Sequence, residues 1–172
     1  HAVFSTLRHQ GQFVLLGESP AADVNADFSR MAGELAASPD AHLWIGYHED
    51  LAHLIYAGSD ILLVPSLYEP CGLTQMIALR YGTVPVVRAT GGLADTVFDV
   101  DEPGRAPADA NGFVFCDPTP EGLDGALHRA MDCWLERPKV FNQLAVNGMG
   151  FDHSWKGPAQ DYENIYDFIR VK

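Results

Sequence analysis

The sequence is poor in cysteine and in positive charge, and both shortages limit what the protein can be. Cys71, Cys116 and Cys133 are the only 3 cysteines among 172 residues, and none belongs to a C-x-x-C pair. An odd, scattered set of thiols predicts neither a disulfide framework nor a zinc site. The 11 Lys and Arg stand against 23 Asp and Glu, which gives a net charge of −12. We therefore expect neither nucleic acid nor an anionic membrane surface as the main partner.

Several signatures of cofactor, metal and membrane sites are also missing. The loop after the first predicted strand reads G-E-S-P, so it carries neither the G-x-G-x-x-G fingerprint nor the Walker lysine loop. The histidines of H-E-D-L-A-H at residues 48–53 are too far apart to share a helical face as zinc-protease ligands do. Residues 99–110 hint at a calcium loop, but proline and alanine occupy two ligand positions. No apolar run approaches the length of a membrane span. We expect no metal and no cofactor.

The apolar residues that are present predict strands alternating with helices. Short buried strands are predicted at residues 13–16, 42–45, 61–64, 84–87 and 113–115. Helices are predicted at residues 1–10, 21–37, 49–58, 72–81, 93–98, 119–135, 138–148 and 155–169. This alternation is typical of an α/β fold with a doubly wound, Rossmann-like parallel sheet. The sequence shows no repeat or domain boundary, so we expect residues 1–172 to form a single domain.

The most informative stretch is residues 61–82, I-L-L-V-P-S-L-Y-E-P-C-G-L-T-Q-M-I-A-L-R-Y-G. The apolar strand must end at Pro65, which has no N–H to donate to a sheet. Glu69 and Cys71 then lie between the strand and the helix predicted at residues 72–81, where open α/β sheets bind their ligands. The free N–H groups of a helix start favour an anion, so a carboxylate beside them requires a chemical explanation.

The chain resembles the C-terminal, nucleotide-binding domain of glycogen and starch synthases. Two motifs carry the resemblance: Y-E-P-C-G-L-T-Q and Y-G-T-V-P-V-V-R-A-T-G-G-L-A-D-T-V. It extends from F-V-L-L-G and I-G-Y-H-E through A-G-S-D to F-D-H-S-W, nearly the whole chain. These enzymes are GT-B glucosyltransferases that transfer glucose from ADP-glucose to the non-reducing end of an α-1,4-glucan and retain the anomeric configuration. The string V-F-D-V-D-E is closer to the starch synthase branch, which predicts a plastid location; the bacterial cytoplasm is the alternative.

The resemblance implies roles for five residues of one loop. Glu69 is expected to be the catalytic carboxylate beside the donor glucose, in an electrostatic role and not as a covalent nucleophile. Cys71 and Gly72 are expected to approach the sugar through their backbone N–H groups. Leu73 and Thr74 are expected to offer N–H groups to the diphosphate, with the Thr74 hydroxyl as a further donor.

Three residues elsewhere are expected to complete the donor site. Tyr47 is expected to stack on the adenine, while Gly17 and Ser19 are expected to line the same crevice. The wider fold family often carries a second glutamate eight positions after the first. Ile77 stands there in this chain, as is typical of the synthase subfamily.

Structural interpretations stay open beside these functional ones. Glu69 could instead lie against the dipole of the helix that follows it and cap its N–H groups. Tyr47 could be a core tyrosine at a strand end, and Thr74 could bond its own helix backbone. Arg88 fits a phosphate site and a surface or interdomain salt bridge equally well. The acidic stretch at residues 95–102 is expected to be a solvated loop.

The chain begins with H-A-V-F-S-T-L, inside a helical pattern and without a Met, so we expect a fragment of a longer protein. The resemblance implies a preceding N-terminal acceptor domain, with the donor-phosphate Arg and Lys just upstream. The fragment is then expected to hold half of a catalytic site and to be inactive alone. The predicted helix within residues 154–170 is placed to pack toward the absent domain. Two other functions compete: an enzyme using another nucleotide sugar, such as a sucrose synthase relative or an epimerase, and a non-catalytic glucan-binding or scaffolding module.

Overall fold

The computed structural model describes residues 1–170, which contain five strands and eight helices. The strands are β1 (Phe13–Gly17), β2 (Ala41–Ile45), β3 (Ile61–Val64), β4 (Val84–Arg88) and β5 (Phe113–Phe115). The helices are α1 (Ala2–Arg8), α2 (Ala22–Glu34), α3 (Glu49–Gly58), α4 (Thr74–Tyr81), α5 (Gly91–Thr96), α6 (Pro120–Glu136), α7 (Pro138–Gly150) and α8 (Lys156–Arg170). Every predicted element is present, which confirms the alternation. Val171 and Lys172, the last residues of the predicted domain, lie outside the described residues.

All strand pairs are parallel, but the strands form two sheets. β1 pairs with β2, with Phe13 opposite Ala41. β4 lies between β3 and β5 in the second sheet, where Ile61 is opposite Val84 and Val86 is opposite Phe113. Within residues 1–170, no strand pairing joins β1 to β3. The α/β architecture with parallel strands is therefore confirmed, with an interruption between the two sheets.

The three-stranded sheet is buried on both faces. Side chains alternate between the faces of a strand, so neighbouring valines of β4 enter different clusters. The cluster against α6 and α7 contains Val84, Val86, Ala110, Phe113, Phe115, Ala126, Ala130, Cys133, Phe141 and Leu144. The cluster on the other face contains Val64, Val87, Leu93 and Val97. A parallel sheet covered on both sides gives rigid support to the loops at its carboxyl edge.

The two-stranded sheet is less well covered. The helices α2 and α3 bury no residue. Val14 of β1 is 48% exposed and Trp44 of β2 is 45% exposed. Most of the buried apolar core therefore lies around β3, β4 and β5.

The acidic stretch at residues 95–102 is not simply solvated, because Asp99 is largely buried. The Arg129 guanidinium donates to both Asp99 carboxylate oxygens at 2.9 and 2.8 Å and to Asp101 at 2.8 Å. The Val114 N–H donates to Asp99 at 2.6 Å. Burial by itself raises the pKa of Asp99, but the bonds from Arg129, Val114 and the Asp101 N–H outweigh it and hold this pKa below its ordinary value. The loop is thereby tied to β5 and α6.

Helix α8 confirms the expected C-terminal helix and is exposed along its length. It buries no residue. The aromatic or aliphatic side chains of this region that are more than half exposed include Trp155, Tyr162, Ile165, Tyr166 and Ile169. Among residues 1–170, no helix combines the length and the apolar character needed to cross a membrane.

Candidate functional site

The loop between β3 and α4 carries most of the predicted site residues. Pro65 directly follows Val64, the last residue of β3, as its missing N–H requires. Helix α4 begins at Thr74 with Leu73 as its N-cap, two residues later than predicted. Gly72 has a φ of +72°, a conformation that favours glycine over other residues. Gly72 therefore belongs to the loop and not to the helix.

The Glu69 side chain is half-buried and is oriented by a neighbour in the same loop. The Ser66 hydroxyl donates to Glu69 Oε2 at 3.1 Å. Among residues 1–170, no side chain accepts a hydrogen bond from the N–H groups at the start of α4, where Leu73 is the N-cap. The interpretation of Glu69 as a helix cap is therefore wrong, and the carboxylate and the helix N–H groups remain separate features of the site.

The first turn of α5 packs directly against this loop and forms the second wall of the site. Helix α5 begins at Gly91, two residues before the predicted start. The Gly92 N–H donates to the Glu69 carbonyl at 3.1 Å. A Cβ atom on Gly91 would lie 1.9 Å from the Glu69 carbonyl oxygen, and one on Gly92 would lie 1.6 Å from that of Cys71. The two glycines of T-G-G-L therefore allow backbone to pack on backbone.

Arg88 fills a role that the sequence did not indicate. Its Nε donates to the Ser66 carbonyl at 2.7 Å, and its Nη2 donates to the Leu67 carbonyl. Arg88 ends β4, so these bonds tie the β3–α4 loop to the neighbouring strand. Among the described residues, Arg88 makes no salt bridge.

Gln75 is a site residue that the sequence reasoning missed. It is fully buried, and its amide nitrogen donates to the Gly72 carbonyl at 2.9 Å and to Thr96 Oγ1 at 3.0 Å. The Thr96 hydroxyl in turn donates to the Gly92 carbonyl at 2.6 Å. Gln75 Oε1 has no hydrogen-bond partner among the described residues. The available signal was a polar residue on the buried side of α4, at the end of the E-P-C-G-L-T-Q motif.

Gly17 and Ser19 lie at the carboxyl end of β1, in the other sheet. The Gly17 carbonyl accepts from the Gly46 N–H at 2.9 Å. The Asn25 side chain closes the loop, because it accepts from the Ser19 N–H and donates to the Ser19 carbonyl, both at 2.8 Å. Gly17, Ser19, Asn25 and Phe28 are among the residues that line a cavity of about 220 Å³ here.

Tyr47 follows β2 on the same edge and is an exposed residue. Its side chain is 76% exposed, so the interpretation as a core tyrosine is wrong. Its hydroxyl donates to the Glu49 carboxylate. That bond and the negative charge of Glu49 raise the pKa of Tyr47 above its ordinary value. The ring faces remain accessible, as stacking on a base requires.

The predicted site residues therefore fall into two groups on the carboxyl edges of parallel strands. Glu69, Cys71, Gly72, Leu73 and Thr74 share the β3–α4 loop. The second group is Gly17, Ser19 and Tyr47, which follow β1 and β2. In residues 1–170, no three His, Cys, Asp or Glu side chains are grouped to hold a metal ion. The absence of a metal or cofactor requirement stays a prediction.

Comparison with protein families gives one match over most of the chain. Residues 4–147 match the family described as glycosyl transferases group 1. Among curated proteins, glycogen synthase 1 of Nitrosococcus oceani is 56% identical over 99% of this chain and 35% of its own length. Glycogen synthase 2 of Methylococcus capsulatus is 54% identical over 100% of this chain and 35% of its own length. This chain thus spans about a third of the length of these bacterial relatives.

Solved structures give the same fold. The catalytic domain of starch synthase IV from Arabidopsis thaliana, bound to ADP and acarbose, superposes with a TM-score of 0.94 at 40% identity. The match covers 100% of this chain and 35% of that one. Sucrose-phosphate synthase from Thermosynechococcus elongatus superposes with a TM-score of 0.67 at 21% identity, over 98% of this chain and 42% of that one. That second likeness shows the fold alone.

Proposed function

Because the chain belongs to the glycosyl transferases group 1 family, we propose that it forms the donor-nucleotide half of a retaining glucosyltransferase. The donor is ADP-glucose, and the acceptor is the non-reducing end of an α-1,4-glucan. Relatives named glycogen synthase and the starch synthase solved with ADP and acarbose support this choice of substrates.

The observation that carries the proposal is a row of backbone donors next to a separate carboxylate. The N–H groups of Gly72, Leu73 and Thr74 make no hydrogen bond to another group among the described residues. Consecutive free N–H groups at a helix start are suited to bind a phosphate. Glu69 lies in the same loop but bonds to Ser66, so it leaves these donors available.

This arrangement fits the charges of glucosyl transfer. As the bond to the anomeric carbon breaks, the departing ADP gains negative charge and the glucosyl centre becomes cation-like. The N–H groups of Leu73 and Thr74 stabilise the diphosphate of the leaving group. The Glu69 carboxylate stabilises the positive centre and accepts hydrogen bonds from sugar hydroxyls, while the Cys71 and Gly72 N–H groups approach the sugar. The backbone N–H groups thereby favour negative charge on the ADP part of the donor, and the Glu69 carboxylate favours positive charge on its glucosyl part.

The β1–β2 edge supplies the nucleoside side of the site. Tyr47 stacks on the adenine with the ring that its exposure leaves accessible. Gly17 and Ser19 line the cavity of about 220 Å³ at the end of β1. We propose that the nucleotide spans the crevice between this edge and the β3–α4 loop.

The split sheet supports the view that the working enzyme is longer. In the doubly wound strand order 3-2-1-4-5-6, β2 and β1 match positions 3 and 2, and β3, β4 and β5 match positions 4, 5 and 6. No strand of residues 1–170 matches the central position 1. We propose that a segment preceding His1 supplies this strand and that an acceptor domain precedes it. The exposed apolar side chains of α8 then pack toward that additional part of the protein. The 172 residues alone accordingly show no glucan elongation.

A bacterial glycogen synthase is the form of this enzyme that we propose. The curated relatives in the comparison are bacterial proteins, and none supports the plastid location that the V-F-D-V-D-E string predicts. The bacterial cytoplasm is therefore the location we propose, in place of the plastid.

Calorimetric titration of the chain tests the donor assignment. We expect ADP to bind more tightly than UDP and maltoheptaose not to bind. Tyr47→Ala should weaken ADP binding about tenfold, because stacking on one base contributes roughly 1–3 kcal/mol. Tyr162→Ala on α8 removes another exposed tyrosine ring, far along the chain, and should leave ADP binding unchanged.

Three results would contradict parts of this proposal. Tighter binding of UDP would indicate another nucleotide sugar. Binding of maltoheptaose without ADP would favour a glucan-binding module. Elongation of a glucan primer from ADP-glucose by the 172-residue chain would show that the half-site interpretation is wrong.

A further inference from the structure

The Gln75 amide lies beneath the donor loop and contacts the carbonyl side of two peptide units. Its nitrogen donates to the Gly72 carbonyl at 2.9 Å and makes a longer contact, 3.5 Å, with the Cys71 carbonyl. In a trans peptide the N–H points opposite to the C=O of the same unit. The Gly72 carbonyl shares its peptide with the Leu73 N–H, and the Cys71 carbonyl shares its peptide with the Gly72 N–H. Because both carbonyls point toward the Gln75 amide beneath the loop, the Gly72 and Leu73 N–H groups point away from Gln75, to the opposite face of the loop.

Thr96 fixes the Gln75 amide and joins it to the second wall of the site. Thr96 Oγ1 accepts from Gln75 at 3.0 Å and donates to the Gly92 carbonyl at 2.6 Å. The Gly92 N–H donates to the Glu69 carbonyl. This hydrogen-bond network thus connects the β3–α4 loop through Gln75 and Thr96 to α5. It then returns to the loop at Glu69.

The free amide oxygen of Gln75 indicates that this side chain is held for its donor function. Gln75 is completely buried, yet Oε1 has no partner within residues 1–170. A buried acceptor without a partner is costly, so an apolar residue of similar shape would pack with less penalty if packing were the sole requirement. The two amide N–H bonds account for the presence of glutamine.

We propose that Gln75 and Thr96 are positioning residues that orient the Gly72 and Leu73 N–H groups toward the donor. The inference rests on the proposed function for the identity of the ligand, ADP-glucose, but the orientation of the loop is a property of the chain without ligand. Neither side chain needs to touch the donor itself.

Thr96→Val tests this role, because it keeps the shape of the side chain and removes its hydroxyl. Thr96→Ser restores the hydroxyl. Thr83→Val is the matched control: Thr83 is 1% exposed, and its hydroxyl donates to the Tyr56 and Ser59 carbonyls at 2.6 and 3.1 Å. Thr83 precedes β4, at the edge of the sheet opposite the donor loop.

The first measurement is amide hydrogen exchange in the chain without ligand. Thr96→Val should speed exchange about tenfold in two hydrogen-bonded segments that hold the donor loop, Ile77 in the first turn of α4 and Gly92 with Leu93 in α5, whose N–H groups donate to the Leu73, Glu69 and Thr90 carbonyls; this ratio corresponds to the net loss of one hydrogen bond. Thr96→Ser should stay near the wild type, and Thr83→Val should lower the melting temperature without selective exchange in these two segments. The inference is overturned if Thr96→Val and Thr83→Val change exchange in these segments equally.

The second measurement is ADP affinity. Thr96→Val should weaken ADP binding about tenfold, whereas Thr96→Ser and Thr83→Val should leave it within about twofold. Gln75→Glu, whose carboxylate replaces the donor nitrogen, should weaken binding at least as much. If the wild-type chain binds no ADP, the proposed function fails, and the exchange experiment still decides the positioning role. Faster exchange at Ile77, Gly92 and Leu93 in Thr96→Val with unchanged ADP affinity would overturn the link to donor binding.

Discussion

Replacing Arg129 with methionine should destabilise the fold by leaving a buried carboxylate without its partner. Arg129 is half-buried on α6 and makes hydrogen bonds to Asp99, to Asp101 and to the Val114 carbonyl at 2.8–2.9 Å. The Asp99 side chain is only 15% exposed, so water cannot replace the guanidinium well. Methionine keeps the length and much of the apolar stem of arginine but none of its donors.

The expected cost follows from the geometry. Removing one partner of a buried ion pair costs about 3–5 kcal/mol, and the 36% exposure of Arg129 places this pair near the lower end, about 3 kcal/mol. For a domain of this size, 1 kcal/mol corresponds to about 2–4 °C, so the melting temperature should fall by roughly 6–12 °C. Arg30→Met is the matched control, because Arg30 pairs with Asp27 at the surface and should change the melting temperature by less than about 2 °C.

Thermal unfolding followed by circular dichroism at pH 7 measures both variants. Adding Asp99→Asn to Arg129→Met should recover part of the loss, since it removes the unpaired charge. The pKa of Asp99 lies below its ordinary value of 3.8 in the folded protein, so the pair stabilises the fold fully above pH 4. This stabilisation is lost as the pH falls through the folded pKa. The difference between wild type and Arg129→Met should therefore shrink below about pH 4.

Equal melting temperatures for Arg129→Met and Arg30→Met at pH 7 would refute this account of the ion pair. So would a difference between wild type and Arg129→Met that grows as the pH is lowered. Either result would mean that Asp99 is adequately solvated or bonded without Arg129.

Three further predictions follow from the packing of the same chain. Gly92→Ala should abolish ADP binding and lower the melting temperature, because its Cβ would lie 1.6 Å from the Cys71 carbonyl oxygen; calorimetry and circular dichroism check this, and wild-type affinity would contradict it. Titration of the folded chain with a thiol reagent should modify Cys71 and Cys116 rapidly, while Cys133, buried and with its pKa raised by burial, should react only on unfolding; three fast thiols would be the contrary result. Truncation after residue 153 should shift the melting temperature by less than about 2 °C, because α8 buries no residue; a larger loss would show that α8 stabilises this domain.

Local patterns in the sequence were sufficient for the elements and for the position of the donor loop. A buried strand, a proline stop and an amphipathic helix are each defined by residues within about ten positions of one another, so their periodicity is visible without the fold. β3 and Pro65 are in the positions predicted, and α4 begins only two residues late. The late start has a local cause, the left-handed conformation of Gly72, which a glycine permits but does not require.

Contacts between distant residues could not be read in this way. Nothing near Asp99 in the sequence indicates Arg129, 30 positions later, so an acidic stretch looked solvated although it is tied to α6. Arg88 likewise bonds carbonyls 21 and 22 positions earlier. In both cases the hydrogen-bond partner depends on which strands and helices are neighbours in space.

The sequence by itself determined the order of strands and helices, the parallel α/β class and the loop that carries Glu69, because these depend on short-range periodicity and on a specific motif. Tertiary structure alone decided that the sheet is interrupted between β1 and β3, that Glu69 bonds Ser66 and does not cap α4, and that Gln75 and Thr96 link the donor loop to α5. The physical reason is that hydrogen bonds and close backbone contacts depend on distances that only the packed elements define.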